Sequence, residues 1–417
     1  MEVINNELIH LFKEMICLEK EMNLSEPNTH AGTKTIVALM AGYSMVYMDK
    51  NMVSTAIIPI AKQFNFTTSQ TGMIMSMFFL AYTLMQIPGG WLADKVGAKK
   101  VLLLSLGIIC LFSYAFGFVS SLILFFAIRF GAGLGHGGYP PSCSKAVAEN
   151  FSKEKRVMVQ SSIMTTSGIG GLLAFVLGAN VIAINWRYGY ILLGTLFLIA
   201  FLLVLFLLPK DANVTKDTKE ELPKVPFKEV ITNRNVILIF VIMILLNITY
   251  YGAMSWLPSY LTKTYQLSLG AAGAILAVNA ISQVIGSFMT GIILSKWFEG
   301  KQKQFILICS IISATCIYTL VNIHNIALSL VLVALIGMTT ISAFTATFTW
   351  PQKIFKQEVI GSSVGIINTG GTFGGFLAPI IIGSLVQSAG GDFKIGFIFL
   401  AISILIGGFS TFTVHPN

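Results

Sequence analysis

Twelve stretches of this chain are each long and apolar enough to cross a lipid bilayer, at roughly 35–60, 70–92, 98–118, 121–145, 157–183, 187–208, 236–261, 268–295, 304–322, 325–350, 359–387 and 394–414. A bilayer core offers the backbone no water to hydrogen-bond, so a spanning segment of about 20 apolar residues has to be a helix. The expected fold class is therefore an all-α membrane protein with twelve transmembrane helices. Composition agrees: 11% of the residues are charged and mean hydropathy is +0.78, against about 25% charged in a soluble domain.

The net charge of +9 could suggest nucleic acid, but its distribution points to the bilayer instead. Of the 27 Lys and Arg residues, 21 fall in the N-terminal tail or in 95–100, 145–156, 210–234, 296–303 and 353–356. Four lie on the opposite face (Lys62, Arg187, Lys263, Lys394), and two, Lys50 and Arg129, lie inside spans. By the positive-inside rule both termini are expected in the cytoplasm of a multi-pass cell-membrane protein.

Connections are short except for 209–235, which is charged, carries three prolines and cannot span. It divides the chain into a tail (1–33), a first six-helix bundle (34–208), a cytoplasmic linker (209–235) and a second six-helix bundle (236–414). Residues 1–33 lack a signal-peptide core; Glu7–Met22 reads as a short surface helix or a disordered tail, and Met22 is as reasonable a start as Met1. The halves repeat weakly at an offset of about 201 residues, which carries Ser161-Ser162 onto Ser362-Ser363 and Asp49-Lys50 onto Tyr250-Tyr251. Parallel six-helix repeats are a transporter architecture with the ligand site between the halves near the midplane.

A charge inside a spanning helix costs a few kcal/mol at least, so it faces a cavity, a partner or a substrate. Among span interiors the sequence has one carboxylate, Asp49, against two cations, Lys50 and Arg129, with His136 able to titrate near neutrality. Neighbours on a helix point about 100° apart, so Asp49 and Lys50 are expected to have different partners. Arg129 and His136 are seven apart, on one face and about 10 Å from each other along the axis. Arg129 reads as a bidentate carboxylate grip or as the internal partner of Asp49, and His136 as a proton relay or a packing histidine. The excess of buried positive charge suits an anionic substrate. The second half offers only neutral polar groups: Asn247, Tyr250, Tyr251, Trp256, Asn279, Gln283, Asn368, Thr369 and Thr372.

The segment PGGWLADKVGAKKVLL (88–103), with its core Gly90-x-x-x-Asp94-x-x-Gly97-x-Lys99-Lys100, joins the second and third spans. It resembles the loop signature of the major facilitator superfamily. That resemblance covers 34–414 and implies the two-bundle major facilitator fold, with Gly90, Asp94, Gly97, Lys99 and Lys100 forming a conformational latch. The second-half copy has Ser295 in place of the Asp.

Further stretches, YMDKNMVSTA (47–56), FFLAYTLMQIPGG (78–90), Arg129 and SWLPSYL (255–261), resemble the anion:cation symporter branch, which includes sugar-acid/proton symporters and sialin-like carriers. The resemblance implies Asp49 and His136 in proton coupling and Lys50, Tyr82, Arg129, Asn368 and Thr372 in substrate binding. Lys50 stands where that branch usually has Arg, and His136 where bacterial members carry Glu.

No metal-ligand spacing, enzyme dyad or ATP-binding motif is present. The expected partners are a small organic anion, protons and the lipid bilayer. No cofactor, metal or nucleic acid is expected, a proton gradient supplies the energy, and the chain is expected to act as a monomer. The leading reading is a secondary active transporter taking up a sugar acid or related carboxylate with protons by alternating access. A drug or metabolite exporter of the same superfamily, disfavoured by the missing Gly-Pro signature in span five, and a transporter-like membrane sensor are the alternatives.

Overall fold

The computed structural model describes residues 29–209, 227–355 and 357–415. The tail reading at 1–28, including the Glu7–Met22 helix and the choice of start, and most of the 209–235 linker lie outside the described residues. Twelve long helices run back and forth: α1 (Thr29–Phe64), α2 (Thr68–Val96), α3 (Ala98–Phe116), α4 (Leu122–Asn150), α5 (Met158–Ile184), α6 (Trp186–Leu207), α7 (Arg234–Thr264), α8 (Leu269–Lys296), α9 (Gln302–Leu320), α10 (Ile326–Thr349), α11 (Gln357–Ser388) and α12 (Lys394–Ser410). Ten of them are apolar enough to cross a membrane by length and composition alone. The other two, α1 and α4, have 36 and 29 residues. They are more polar because α1 carries Asp49 and Lys50 and α4 carries Arg129, His136 and a run of glycines.

Helix starts are set by polar caps. Thr67 and Gln70 form a reciprocal capping box at α2, and the side chains of Ser121, Asn185, Asn233, Ser268 and Asn325 accept from first-turn amides of α4, α6, α7, α8 and α10. These caps satisfy amides that have no intrahelical partner. Gly97, at φ +102°, turns the chain from α2 into α3, a backbone conformation that a Cβ would strain. Within α5 one turn widens to π-helix at Leu173–Gly178. Outward positions carry exposed Leu111, Phe118, Ile123, Phe206 and Phe409, the apolar skin that a lipid-facing surface needs.

Packing follows the weak sequence repeat. In the first half α2 packs on α4, α1 on α5, and α3 on α6. In the second half the equivalent pairs form: α8 on α10, α7 on α11, and α9 on α12. The two halves meet along α2–α11 and its repeat mate α5–α8, with α1 facing α7. Small residues let these crossings close: a Cβ at Gly72 would lie 2.3 Å from the Pro379 carbonyl oxygen, and one at Gly273 equally close to that of Phe175.

Candidate functional site

Asp49, Arg129 and His136 meet in the middle of the first half. Arg129 Nη1 lies 3.5 Å from Asp49 Oδ1, and His136 Nε2 lies 2.9 Å from Asp49 Oδ2. All three are buried, His136 completely. The spacing of seven on α4 brings both α4 groups to the α1 carboxylate, as their shared helix face requires. Asp49 is thus held by two α4 side chains at once.

Aromatic rings wall this triad off. The Phe78 ring lies 4.4 Å from the Arg129 guanidinium carbon and 4.7 Å from the His136 ring, and the Phe197 ring lies 6.1 Å from that of the histidine. The glycine run explains why Phe78 can come so near. A Cβ at Gly133, between Arg129 and His136 on the same face, would fall 2.3 Å from the Phe78 carbonyl oxygen. Asp49 Oδ2, Arg129 Nε and Nη2, both His136 ring nitrogens and the Tyr190 hydroxyl have no aligned hydrogen-bond partner among the described residues, so the His136–Asp49 contact is a close charge approach. A buried guanidinium with two unused donors is under-satisfied, so this cluster has hydrogen-bonding capacity in reserve.

Lys50 turns away from Asp49. Its ammonium lies 4.3 Å from the Tyr82 ring centre and 5.1 Å from that of Tyr47, so two α-helices supply cation–π faces. Lys50 also borders a small cavity between the halves, with Tyr47, Asn51, Tyr250, Tyr251 and Gln283 in its wall. Its volume of about 20 Å³ holds roughly one water, far too little for a sugar-sized acid. Across it, the Tyr250 hydroxyl donates to Gln283 Oε1 at 3.0 Å, Gln283 Nε2 donates to Asn279 Oδ1 at 2.6 Å, and Asn279 Nδ2 donates to the Val333 carbonyl. The second half therefore presents an ordered neutral hydrogen-bonding chain to the Lys50 ammonium.

The remaining candidate residues fall elsewhere. Tyr82 reaches the cavity only through its contact with Lys50, and Arg129 is in the triad rather than in the cavity wall. Asn368 donates from Nδ2 to Gln86 Oε1 at 3.1 Å, a contact between α11 and α2 one turn from Tyr82 toward the terminus face. Thr372 is buried and returns its hydroxyl to the Thr369 carbonyl. Gln86, Tyr47, Asn51 and Tyr190 were not singled out by the sequence; a neutral side chain in a span signals a partner only once the partner is known.

At the end of α2, Lys145 Nζ from α4 lies 3.3 Å from Asp94 Oδ1, donates to the Ala93 carbonyl at 2.7 Å, and lies 3.5 Å from Glu149 Oε1. Lys99 instead donates to the Leu205 and Leu208 carbonyls at the end of α6, where a cation complements the helix dipole. Lys100 is exposed, and Gly90 sits over Pro141 of α4. The cation that meets Asp94 is thus Lys145, which the loop signature does not contain.

On the face away from the termini a cavity of about 520 Å³ opens between the halves, bordered by the last turns of α1 and α7 and the first turns of α2 and α8. A two-half helical body with a midplane cavity, buried charges in the first half and an opening between the halves is transporter geometry.

The model of the Major Facilitator Superfamily matches residues 39–379. The chain belongs to the Major Facilitator Superfamily. It is a multi-pass membrane transporter of that superfamily. A probable sulfoacetate transporter, SauU, of Cupriavidus necator is 24% identical over 90% of this chain and 91% of its own length. A probable galactarate/D-glucarate transporter, GudP, of Escherichia coli is 25% identical over 94% and 95%, and a D-galactonate transporter of Escherichia coli 23% identical over 90% and 94%. A solved bacterial homologue of the human lysosomal transporter Spinster has the same fold, with a TM-score of 0.78 at 14% identity over 94% of this chain and 97% of its own. Sugar-acid and related organic-anion carriers thus recur among the superfamily members this chain resembles.

Proposed function

We propose that this transporter imports a small organic anion, a sugar acid or related carboxylate, together with protons across the cell membrane, with both termini in the cytoplasm. The observation that carries the reading is the division of labour between neighbours: Asp49 is bound inside the first half, while Lys50 remains at the cavity wall with aromatic neighbours. A carboxylate entering the cavity meets the Lys50 ammonium, and the Tyr250–Gln283–Asn279 chain reads its hydroxyls. The names of the similar proteins support the substrate class.

Coupling follows from the triad. A proton on Asp49 removes the anion that holds Arg129 and His136 and leaves excess positive charge in a water-poor region. A substrate carboxylate beside Lys50 offsets that charge, so proton and anion favour each other's binding and cross together. His136, with Nε2 2.9 Å from Asp49 Oδ2, relays the proton by taking one up on Nδ1 and giving one from Nε2 to Asp49. Two bundles, 34–208 and 236–414, rock about the site of a monomer while the 209–235 segment links them. Asp94, with Lys145 and the Gly90, Gly97, Lys99 and Lys100 loop, holds one position of that motion.

The test is uptake by proteoliposomes holding the full chain under an inward proton gradient, against aldonates, aldarates, hexuronates and sulfoacetate. Accumulation of at least one of them, with Lys50→Gln weakening its binding about tenfold or more, is expected, since a charge-assisted hydrogen bond contributes about 1.5–3 kcal/mol. No gradient-driven accumulation of any carboxylate or sulfonate would refute the proposal.

A further inference from the structure

The cavity on the face away from the termini is unlike the rest of that face. Its wall holds two lysines, Lys62 and Lys263, and no carboxylate. Only four of the chain's 27 basic residues were placed on this face, so two in one cavity is a concentration of charge. The nearby Asp392 is exposed and its carboxylate accepts from the Lys394 amide at 2.8 Å, capping α12. Lys62 and Lys263 are also repeat mates at the 201-residue offset, as are the wall positions Ile58 and Ser259, and Ala61 and Thr262. The same helical turn of each half thus forms opposite walls. Both walls carry hydroxyls, Thr68 and Thr71 from the first half and Ser259 and Thr262 from the second. Ile58 is seven residues beyond Asn51 of the central cavity, about 10 Å along α1.

We infer that this vestibule is a first binding site for the anionic substrate, in which Lys62 and Lys263 capture the carboxylate before the central site opens. The inference rests on the organic-anion reading above. Two cations in a cleft with low-dielectric walls focus the field and raise the local concentration of anions, a rate effect that salt suppresses. Ser259 and Thr262 supply neutral hydrogen bonds for a polyhydroxylated chain, and the Phe393 ring, with Lys263 Nζ 5.5 Å from its centre, supplies an apolar floor beside the charge. The central cavity has no room for the anion in this conformation, so the vestibule is where a substrate arriving from that face is held.

Two measurements on the full chain test the site. In the first, purified protein is labelled with a membrane-impermeant amine-reactive ester, and each lysine is followed by peptide mass spectrometry. D-Galactonate is expected to slow labelling of Lys62 and Lys263 about fivefold while leaving Lys100 on the opposite face unchanged; galactose and equimolar chloride should not protect. In the second, initial uptake of D-galactonate is measured for Lys62→Gln/Lys263→Gln. The half-saturating concentration is expected to rise about five- to tenfold at low ionic strength with the maximal rate within about twofold, and the difference should close near ~0.5 M salt. Lys62→Arg/Lys263→Arg should behave as wild type. Protection by D-galactonate in a wild type that accumulates none of the panel of carboxylates and sulfoacetate would overturn the transport reading and leave the vestibule standing. Uptake with neither protection nor a salt-dependent shift, or equal protection by chloride, would overturn the vestibule.

Discussion

Asp49 and Lys50 are adjacent in sequence and opposite in environment. The carboxylate has two partners from α4, while among the described residues the ammonium has aromatic faces and a cavity. Removing one member of a buried ion pair strands the other, and the cost is about 3–5 kcal/mol. Arg129→Gln is therefore expected to lower the unfolding temperature of detergent-purified protein markedly. Asp49→Asn/Arg129→Gln should recover much of the loss, because no charge is then left alone. A double variant no more stable than Arg129→Gln would show that the pair is not what holds the triad. Asp49→Asn has a separate functional consequence. With the only span-interior carboxylate neutral, accumulation of substrate against its gradient should vanish while counterflow exchange of labelled for unlabelled substrate continues. Accumulation persisting in Asp49→Asn would move the coupling proton elsewhere.

At the scale of the helix, α4 is the positioning element. Its glycines lower its hydropathy, yet they bring α2 so near that Phe78 covers Arg129 and His136. Gly133→Val would drive a branched side chain into the Phe78 carbonyl oxygen, which is backbone and cannot rotate away. Overpacking of this kind costs about 1–3 kcal/mol. The expected result is a lower unfolding temperature with transport lost, whereas Gly291→Ala in α8, where a Cβ meets nothing within 4 Å, should leave both unchanged. Similar losses at the two positions would mean that glycine content, not the α2–α4 approach, is what matters.

For the whole molecule, the contact that has to move is α2–α11. Ser69 Oγ and Ser384 Oγ are 3.4 Å apart at the end away from the termini, and Ser69 N donates to Gln387 Oε1. Gln86 and Asn368 join the same two helices toward the other end. Alternating access requires the two ends to part in turn. Ser69→Cys/Ser384→Cys is expected to stop transport under oxidising conditions and to recover it on reduction. The four cysteines among the described residues are buried or half-buried, and Cys17 is replaced by Ser in the background used. Full transport with the crosslink formed would mean that this end does not open in the cycle.

The twelve spans, the repeat and the superfamily were legible in the chain because each follows from local rules: a bilayer fixes the length and polarity of whatever crosses it, and a loop signature is contiguous. The charged residues in spans were all visible from sequence, but their pairing was not, and neutral Gln86 and Tyr190 were passed over. Sequence left Arg129 open between gripping a substrate and holding Asp49, and its latch residues Asp94, Lys99 and Lys100 did not include Lys145, the cation that lies against Asp94. Both outcomes depend on which faces of α1, α2 and α4 meet, and that is decided by glycine contacts between segments far apart in the chain. The sequence by itself determined that charge is buried in the first half and hydroxyls and amides in the second. Only the tertiary structure decided that Asp49 is already ion-paired while Lys50 is left at the cavity, because a buried charge is defined by the atoms within about 4 Å of it and those come from other helices.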